Sequence, residues 1–423
     1  MKKFDREVLP APKSRKSVFS VRDSLSWLLL GIIQMWSRFR YLRPFAAVTT
    51  AAACASSAAS SHLLCSNNAD ANNANATNAA ADNKCTEVVR HNNRPQFYVI
   101  VAASGQEDLA QSLQDRWPQH FQYVPTTWDR FDDNTDNILV GGYGSSTTPD
   151  IIRGSNVLFL ACFSSNDTIW SQIHVLTMLG ESFVDSLTIM LPFFPNGTME
   201  RVLEEGRVAT ANTCAKVLSS LPRGGSSQNR LIMYDLHTLQ NRFYFDGNTL
   251  AQCPTAFPLC LDRLKVFIQD DPSAEWCVAF PDDGAEKRFG HYFKEHFPRM
   301  ELVVCGKKRD PNNPTKRQVK ILDGSPAGKK VLIIDDIVNS GGTLAGCAKA
   351  LKEQGAVSVS AFCTHAVFPK ECWKRFAKGG DRENVFDTFL VTNTNPVVSN
   401  QLPKNDCFEV LDICPLIAKD VLN

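Results

Sequence analysis

One stretch, residues 331–343, restricts the possible folds more than any other part of the sequence, and it reads VLIIDDIVNSGGT. Its first four residues form an apolar run, which is typical of a strand buried on both faces of a parallel sheet. Two adjacent carboxylates follow, Asp335 and Asp336, and the chain then turns through Gly341 and Gly342 into a predicted helix that opens at Thr343. We therefore expect a strand–turn–helix unit of an α/β fold.

The same stretch predicts an anion-binding site. Its two glycines carry no Cβ, so the backbone can turn tightly and approach a ligand. The free amides of the turn and of the first helical turn point outward, at the positive end of the helix dipole. Adjacent acids at the end of a buried strand are costly without a partner, and sugar hydroxyls or a magnesium ion would supply one. The pattern indicates a site for a phosphorylated sugar.

Composition narrows the class of protein. A chain of 423 residues can form two or three domains, and 43% hydrophobic with 21% charged residues is typical of a soluble globular protein. The net charge of +1 gives no reason to expect nucleic-acid binding. The 14 cysteines include no CxxC pair, which argues against a zinc site and favours reduced cysteines in an intracellular protein.

The first 94 residues differ from the rest of the chain. Ten Lys/Arg and three Asp/Glu occur in the first fifty, residues 25–36 are apolar but too short to span a bilayer, and the following Ala/Ser and Asn/Ala tracts cannot build a core. Such a start is typical of an organelle presequence, although a signal-peptide segment or a disordered extension without an address would fit as well. We expect a soluble intracellular protein with no stable membrane span. Its compartment would be the cytoplasm, or the mitochondrion or plastid if residues 1–90 are a cleaved presequence.

From residue 97 onward, apolar runs alternate with amphipathic stretches at short spacing, which is typical of a parallel α/β sheet. The spacing predicts strands at 97–102, 156–161, 187–191, 231–235, 276–280, 302–305 and 357–363, and helices at 107–117, 169–179, 200–219, 287–296 and 344–354. A turn-rich segment at 221–229 separates two such series. We predict two consecutive α/β domains, residues 95–229 and 230–423.

Four further polar stretches accompany predicted strands, where open parallel sheets bind ligands. They are residues 235–237, residues 281–284, a basic run within 307–317 that we expect to be a loop, and a turn at 130–133. Three of them have ordinary explanations: His237 would be a hydrogen-bonded structural histidine, Asp282 a helix cap, and the basic run a solvated surface. Together with the anion site they indicate phosphate chemistry on a sugar.

These motifs, in this order, resemble the ribose-phosphate pyrophosphokinases (phosphoribosyl-diphosphate synthetases). VLIIDDIVNSGGT is similar to the phosphoribosyl-diphosphate-binding motif that this family shares with type I phosphoribosyltransferases. The wider resemblance comprises FDD at Phe131, IRG at Ile152, LPFFPNGTMER at Leu191, DLHTLQNRFYF at Asp235, FPDDG at Phe280, the basic run, and CTHAVFP at Cys363. The stretches LPFFPNGTMER, RFYF, FPDDGA and WKRF resemble most the divergent plant-type class, which is described as independent of phosphate activation and broader in its use of nucleoside triphosphates.

The resemblance implies two tandem phosphoribosyltransferase-like (Rossmann-like) domains. It implies transfer of the β,γ-diphosphoryl group of ATP, with Mg²⁺, to C1 of ribose 5-phosphate, which gives 5-phospho-α-D-ribose 1-diphosphate and AMP for nucleotide biosynthesis. Lys307 and Arg309 would be catalytic; Phe131, Asp133 and His237 would contact ATP; and His237 and Asp282 would bind the metal. Ribose 5-phosphate would be held by Asp335, Asp336, Asn339, Ser340, Gly341, Gly342 and Thr343. Members of the family self-associate, so a homo-oligomer is expected.

The sequence also departs from the better-known class of these enzymes. Thr198, Met199 and Glu200 stand where that class has Arg-Gln-Asp, its FSDGE-type loop reads FDDNT at Phe131, and its PDHGG reads PDDGA at Pro281. These differences bear on nucleotide choice and allosteric control more than on the chemistry. Two alternatives remain: a non-catalytic, synthetase-associated regulatory subunit, and a phosphoribosyltransferase, which would normally contain a single domain of this type.

Overall fold

The computed structural model describes residues 96–200, 202, 204–310 and 313–423, and for residues 196, 307–310 and 313–318 it describes the backbone alone. All of these residues belong to one compact unit. The predicted N-terminal extension, residues 1–94, lies outside the described part of the chain. None of the described helices has the length and the apolar content that are needed to cross a lipid bilayer.

The apolar runs of the sequence form the strands of two large sheets and one hairpin. The strands are β1 (Tyr98–Ala102), β2 (Phe121–Val124), β3 (Thr126–Arg130), β4 (Asp136–Val140), β5 (Asn156–Leu160), β6 (Ser186–Met190), β7 (Asn229–Ile232), β8 (Thr249–Gln252), β9 (Trp276–Phe280), β10 (Glu301–Asp310), β11 (Asn313–Asp323), β12 (Lys330–Val338), β13 (Ser358–Ala366), β14 (Phe389–Thr392) and β15 (Phe408–Leu411).

Amphipathic segments between the strands form helices that cover the sheets. The α-helices are α1 (Glu107–Arg116), α2 (Asn166–Gly180), α3 (Thr210–Ser219), α4 (Phe257–Asp270), α5 (Asp283–His296), α6 (Gly342–Glu353), α7 (Pro396–Ser399) and α8 (Cys414–Leu422). Within the described ranges, three 3₁₀ helices span Pro195–Thr198, Leu239–Tyr244 and Pro369–Arg375. The helix expected from residue 200 begins only at Thr210, because Gly206 (φ +84°) takes a left-handed conformation that interrupts a helix.

The first sheet has the order β2-β1-β5-β6-β7-β8, and all of its strand pairs are parallel. Strands β7 and β8 follow the division that the sequence placed at residues 229 and 230, yet they complete this first sheet. In β7, Leu231 pairs with Ile189 of β6. The turn-rich segment at 221–229 is therefore a connection within the sheet, and the second sheet begins only with β9.

The second sheet has the order β11-β10-β9-β12-β13-β14-β15 and is parallel except for the pair β10–β11. The basic run that was expected to be a loop lies in this antiparallel pair, where Lys307 stands opposite Val319 and Arg309 opposite Arg317. Ladder hydrogen bonds thus continue through a segment whose charge suggested a loop. The predicted fold class, α/β with two mainly parallel sheets, is confirmed.

Helix α8 comes last in the sequence but packs on the first sheet. Its residues Ile417 and Val421 are fully buried in the core that contains Ile100 of β1 and Ile232 of β7. The carboxyl group of Asp420 accepts a hydrogen bond of 2.8 Å from the hydroxyl of Tyr234. The last helix therefore completes the core of the first sheet.

Candidate functional site

The sugar-phosphate loop, residues 339–343, connects β12 to α6 as the sequence predicted. Strand β12 runs through both acids and ends at Val338, and helix α6 begins at Gly342. Gly341 caps the helix with φ +67°, a conformation that glycine adopts without steric cost. Asn339, Ser340 and Gly342 are exposed to solvent. The loop therefore presents its backbone at the N-terminus of a helix of twelve residues, where an anion would be stabilised.

A cavity of about 970 Å³ opens beside this loop, between helix α6 and strand β11. Gly342 and Thr343 line it on the helix side, and Lys320 and Asp323 line it on the strand side. Cavities of this size hold small metabolites. The strand that borders the cavity is paired with β10, which carries Lys307 and Arg309.

Asp335 and Asp336, though adjacent in sequence, are in different electrostatic states. Burial raises the pKa of Asp335 well above its ordinary value, and the charge of Asp336 raises it further. Burial also tends to raise the pKa of Asp336, but the hydrogen bond from His237 and the charges of His237 and Arg288 outweigh it, so that this pKa is lowered. One member of the acid pair is therefore held ionised and the other is held towards its neutral form.

His237 joins the two sheets at this point. It follows β7 of the first sheet, and its Nδ1 lies 2.8 Å from Oδ2 of Asp336 in the second sheet. Because Asp336 is ionised, Nδ1 donates the proton, and this hydrogen bond raises the pKa of His237. The histidine–carboxylate contact is thus one of the points at which the carboxyl ends of the two sheets meet.

Arg288, which the sequence did not single out, extends this contact into a network. Its Nη1 lies 3.3 Å from Oδ2 of Asp336 and donates to the carbonyl oxygen of His237, also at 3.3 Å. Its Nη2 lies 3.4 Å from Oδ1 of Asp235. The side chains of Asp235 and Asp336 are 1% and 8% exposed, so Arg288 bridges two buried carboxylates.

Asp235 is itself held by donors from two parts of the chain, the connection after β8 and strand β13. It accepts hydrogen bonds from Thr255 (2.6 Å), from the amide of Ala256 (3.0 Å) and from Thr364 of β13 (2.6 Å). Its φ is +37°, which is unusual for a residue other than glycine. Such conformations persist where surrounding contacts over-determine them, and they concentrate at functional sites.

Comparison with known proteins decides the family. The family model described as "Phosphoribosyl transferase domain" matches residues 281–394. The ribose-phosphate pyrophosphokinase 4 of Oryza sativa subsp. japonica is 42% identical over 301 residues, which cover 71% of this chain and 87% of that protein. The chain belongs to the ribose-phosphate pyrophosphokinase family.

Two further comparisons agree with this assignment. The ribose-phosphate pyrophosphokinase 3, mitochondrial, of Spinacia oleracea is 39% identical over 294 residues, which cover 69% of this chain and 68% of that protein. The crystal structure of phosphoribosylpyrophosphate synthetase from Mycobacterium smegmatis matches with a TM-score of 0.62 and 22% identity, covering 77% of this chain and 98% of that one. At that identity the second match supports the fold alone. The resemblance inferred from the motifs is confirmed.

Phe131 and Asp133, expected to contact ATP, lie in the turn of the β3–β4 hairpin. The Phe131 side chain is 56% exposed. Asp133 accepts hydrogen bonds from the hydroxyl (2.6 Å) and the amide (3.0 Å) of Thr135, and these bonds lower its pKa. Its described hydrogen bonds stay within the turn and do not reach the strand ends that carry His237 and Asp336. The two residues remain predictions.

The predicted catalytic residues, Lys307 and Arg309, lie in β10, but their side chains are outside what the structure describes. Strand β10 lies beside β9, and Asp282 follows β9. Asp282 caps helix α5, with its Oδ1 accepting a hydrogen bond of 3.0 Å from the amide of Ala285. The ordinary explanation of Asp282 as a helix cap therefore holds, and its charge also contributes to the raised pKa of Asp335.

The two predicted metal ligands fit a cation that is held mainly by a substrate. In the part of the chain that the structure describes, no three His, Cys, Asp or Glu side chains cluster closely enough to hold a metal ion. His237 uses Nδ1 for Asp336 and Asp282 uses one oxygen for its helix. Each keeps one further ligand atom. Mg²⁺ commonly binds through one or two protein groups together with substrate phosphates and water, and these residues fit that arrangement.

Sequence reasoning missed Arg288 as a member of the site, and it gave Asp235 and Glu200 no role of their own. Glu200 lies near His237: it accepts a hydrogen bond of 3.3 Å from Thr238, and its charge contributes to the raised pKa of His237. Asp235 and Glu200 stood inside quoted motifs, and the position of Asp235 close to His237 in the sequence was an available signal. Arg288 lies four residues after the PDDG stretch on a helix face, where charged residues are usually solvated, and nothing in the pattern distinguished it.

Proposed function

We propose that this chain is a ribose-phosphate diphosphokinase. It transfers the β,γ-diphosphoryl group of ATP to the C1 hydroxyl of D-ribose 5-phosphate and forms 5-phospho-α-D-ribose 1-diphosphate and AMP. Membership of the family supports this activity. The observation that carries it is the contact of His237 with Asp336. This contact brings a residue of the first sheet that is predicted to bind ATP, the phosphoryl donor, against the acids of the second sheet that are predicted to bind ribose 5-phosphate, the acceptor.

The half of the site that is formed by β12 and the loop after it would hold ribose 5-phosphate, the acceptor of the diphosphoryl group. The backbone amides of residues 340–343, at the start of helix α6, suit the 5-phosphate, and the acids of β12 suit the ribose hydroxyls. Asp336, held ionised, would accept a hydrogen bond from a hydroxyl, whereas Asp335, held towards its neutral form, can also donate one. Such a pair can orient one sugar through two different hydrogen bonds, and holding the C1 hydroxyl in line with the donor phosphate is the main task of the site.

The other half of the site must bind ATP, the phosphoryl donor, and so place its negatively charged phosphates beside buried acids. The positive charge of Arg288 and the hydrogen bond from His237 offset the charges of Asp235 and Asp336, so the nucleotide meets a site whose carboxylates are already paired. Lys307 and Arg309, on the strand next to β9, would stabilise the charge that develops on the transferring group. His237 and Asp282 would hold Mg²⁺ together with the nucleotide, and the ion would supply charge neutralisation for the phosphates.

The test is an assay of the purified full-length chain with ATP, ribose 5-phosphate and Mg²⁺, in which AMP and the sugar diphosphate are both quantified. We expect both products in equal amounts, and we expect no AMP when ribose 5-phosphate is omitted. Asp336→Asn should abolish product formation because the variant loses the charge that orders His237 and Arg288. Absence of AMP with every nucleoside triphosphate, with or without inorganic phosphate, would favour the regulatory subunit. Consumption of 5-phosphoribosyl 1-diphosphate with a free base would favour a phosphoribosyltransferase.

The same preparation tests three further parts of the proposal. Equal rates with and without inorganic phosphate are expected for the phosphate-independent class. Light scattering of the purified chain should give a homo-oligomer. Relatives named chloroplastic and mitochondrial motivate an organelle address for this chain; fusion of residues 1–90 to a fluorescent protein tests it, and a diffuse cytosolic signal would contradict it.

A further inference from the structure

The segment that follows β13 combines backbone strain with proximity to the sugar-phosphate loop. Phe368, Lys370 and Glu371 all have positive φ, at +37°, +55° and +55°. Residues other than glycine adopt a positive φ rarely and at a cost in free energy, so surrounding contacts must hold the segment in place. The strain ends at the WKRF stretch, residues 373–376, which the sequence singled out and which has no part in the proposed chemistry.

Phe376, the last residue of that stretch, lies directly against Gly341. A Cβ placed on Gly341 would lie 2.5 Å from Cζ and 2.6 Å from Cε2 of Phe376, and the three heavy atoms nearest to that position all belong to this ring. Gly341 is the left-handed residue on which the loop turns into helix α6. The ring therefore occupies the only side from which a β-carbon could project.

Several contacts fix the ring in this position. Phe376 is 2% exposed, and its centroid lies 5.6 Å from that of Phe386 and 5.8 Å from that of Phe389. The guanidinium of Arg382 lies 5.7 Å from the ring centroid. A second contact from the same segment reaches the loop, where the thiol of Cys372 donates to the carbonyl oxygen of Asn339 at 3.5 Å. The loop thus rests on a rigid aromatic support.

We propose that Phe376 is a positioning residue for ribose 5-phosphate. It acts through Gly341, and its ring holds the loop in the conformation that directs the amides of residues 340–343 towards the 5-phosphate. The inference rests on the proposed function of that loop. A residue in the aromatic core alone would change the stability of the protein. A residue that pre-organises the loop changes the affinity for the sugar phosphate and leaves the nucleotide site unaffected.

The experiment compares two substitutions in one aromatic cluster of the full-length chain. Phe376→Leu removes the ring that touches Gly341, and Phe386→Leu removes a neighbouring ring that is not among the atoms nearest to Gly341. We expect Phe376→Leu to raise the Kd for ribose 5-phosphate, measured by calorimetry, about tenfold. The Kd for ATP should stay within about twofold of the wild type, and Phe386→Leu should change neither constant by more than that. Thermal unfolding of both variants reports their loss of stability.

A third variant keeps the test decisive if Phe376→Leu does not fold. Phe376→Tyr preserves the buried ring but adds a hydroxyl at Cζ, the atom nearest to Gly341, and should also weaken ribose 5-phosphate binding. Equal effects of Phe376→Leu and Phe386→Leu on the sugar-phosphate Kd, or unchanged binding in Phe376→Tyr, would overturn the inference. If the wild-type chain forms no sugar diphosphate but binds ribose 5-phosphate in a way that depends on Phe376, the proposed function fails and the positioning role stands.

Discussion

Replacing Arg288 with methionine is the sharpest test of the network that joins the two sheets. Methionine keeps an unbranched apolar side chain but removes the charge that bridges Asp235 and Asp336. Those carboxylates are 1% and 8% exposed, and the Arg288 side chain is 19% exposed. Removing one partner of a buried ion pair costs about 3–5 kcal/mol, because the other charge is left without compensation.

The structure places the cost at the lower end of that range. Asp336 keeps its 2.8 Å contact with His237, and Asp235 keeps three donors, Thr255, Ala256 and Thr364. We therefore expect a loss of about 3 kcal/mol of unfolding free energy, which lowers the melting temperature by about 6–12 °C in domains of some 200 residues. Because His237 and Asp336 lose a shared positioning group, kcat should also fall about tenfold or more.

Arg263→Met is the matched control. Arg263 and Glu409 form a pair with shorter contacts, 2.6 and 3.0 Å, but with side chains that are 27% and 35% exposed. An exposed pair contributes about 1 kcal/mol or less, so the control should lose much less stability and no activity. Differential scanning calorimetry and the AMP-release assay measure both effects. If Arg288→Met is no more destabilised than Arg263→Met, the argument from burial is refuted.

Three further predictions concern other parts of the chain. Burial raises the pKa of Asp420, so the folded protein loses stability as the pH rises from about 4 through the raised pKa and the carboxyl group ionises. Asp420→Asn should therefore have a higher melting temperature than the wild type at pH 7 and the same melting temperature near pH 4. Equal gains at both pH values would contradict this. The buried sulfurs of Cys305 and Cys347 lie 3.2 Å apart, so the thiol oxidant diamide should join them in a disulfide that peptide mass mapping detects and that Cys347→Ala prevents. Lys307→Ala should lower kcat by about two or more orders of magnitude with nearly unchanged binding of ribose 5-phosphate, and an unchanged kcat would remove Lys307 from the mechanism.

The fold could be predicted from the sequence wherever an apolar run determines burial. The strand at residues 276–280 has the predicted bounds, and the strand, turn and helix around Asp335 lie where the apolar run and the glycines place them. Such local signals work because a strand buried on both faces admits few polar residues. The prediction that the basic run forms a loop was wrong. Its described residues pair as strands β10 and β11, because inter-strand hydrogen bonds form between backbones whatever the charge of the side chains.

Contacts between distant segments could not be predicted in this way. Arg288 meets Asp235, 53 positions away, and Phe376 meets Gly341 across a helix and a strand. The membership of β7 and β8 in the first sheet is likewise decided by pairing with β6 and not by the turn-rich segment before them. Hydrophobic periodicity reports which face of an element is buried, but it does not identify the residue on the other side of that contact.

The packing of helix α8 on the first sheet has a consequence for synthesis of the chain. The hydroxyl of Tyr98 in β1 contacts the carbonyl oxygen of Val421 in α8, a separation of 323 positions. At about 5–20 residues per second, a ribosome needs roughly 16–65 s to pass from one to the other. During that time the part of the β1 core that α8 covers stays open to solvent. The nascent chain therefore presents an apolar surface on which chaperones can act before the first sheet closes.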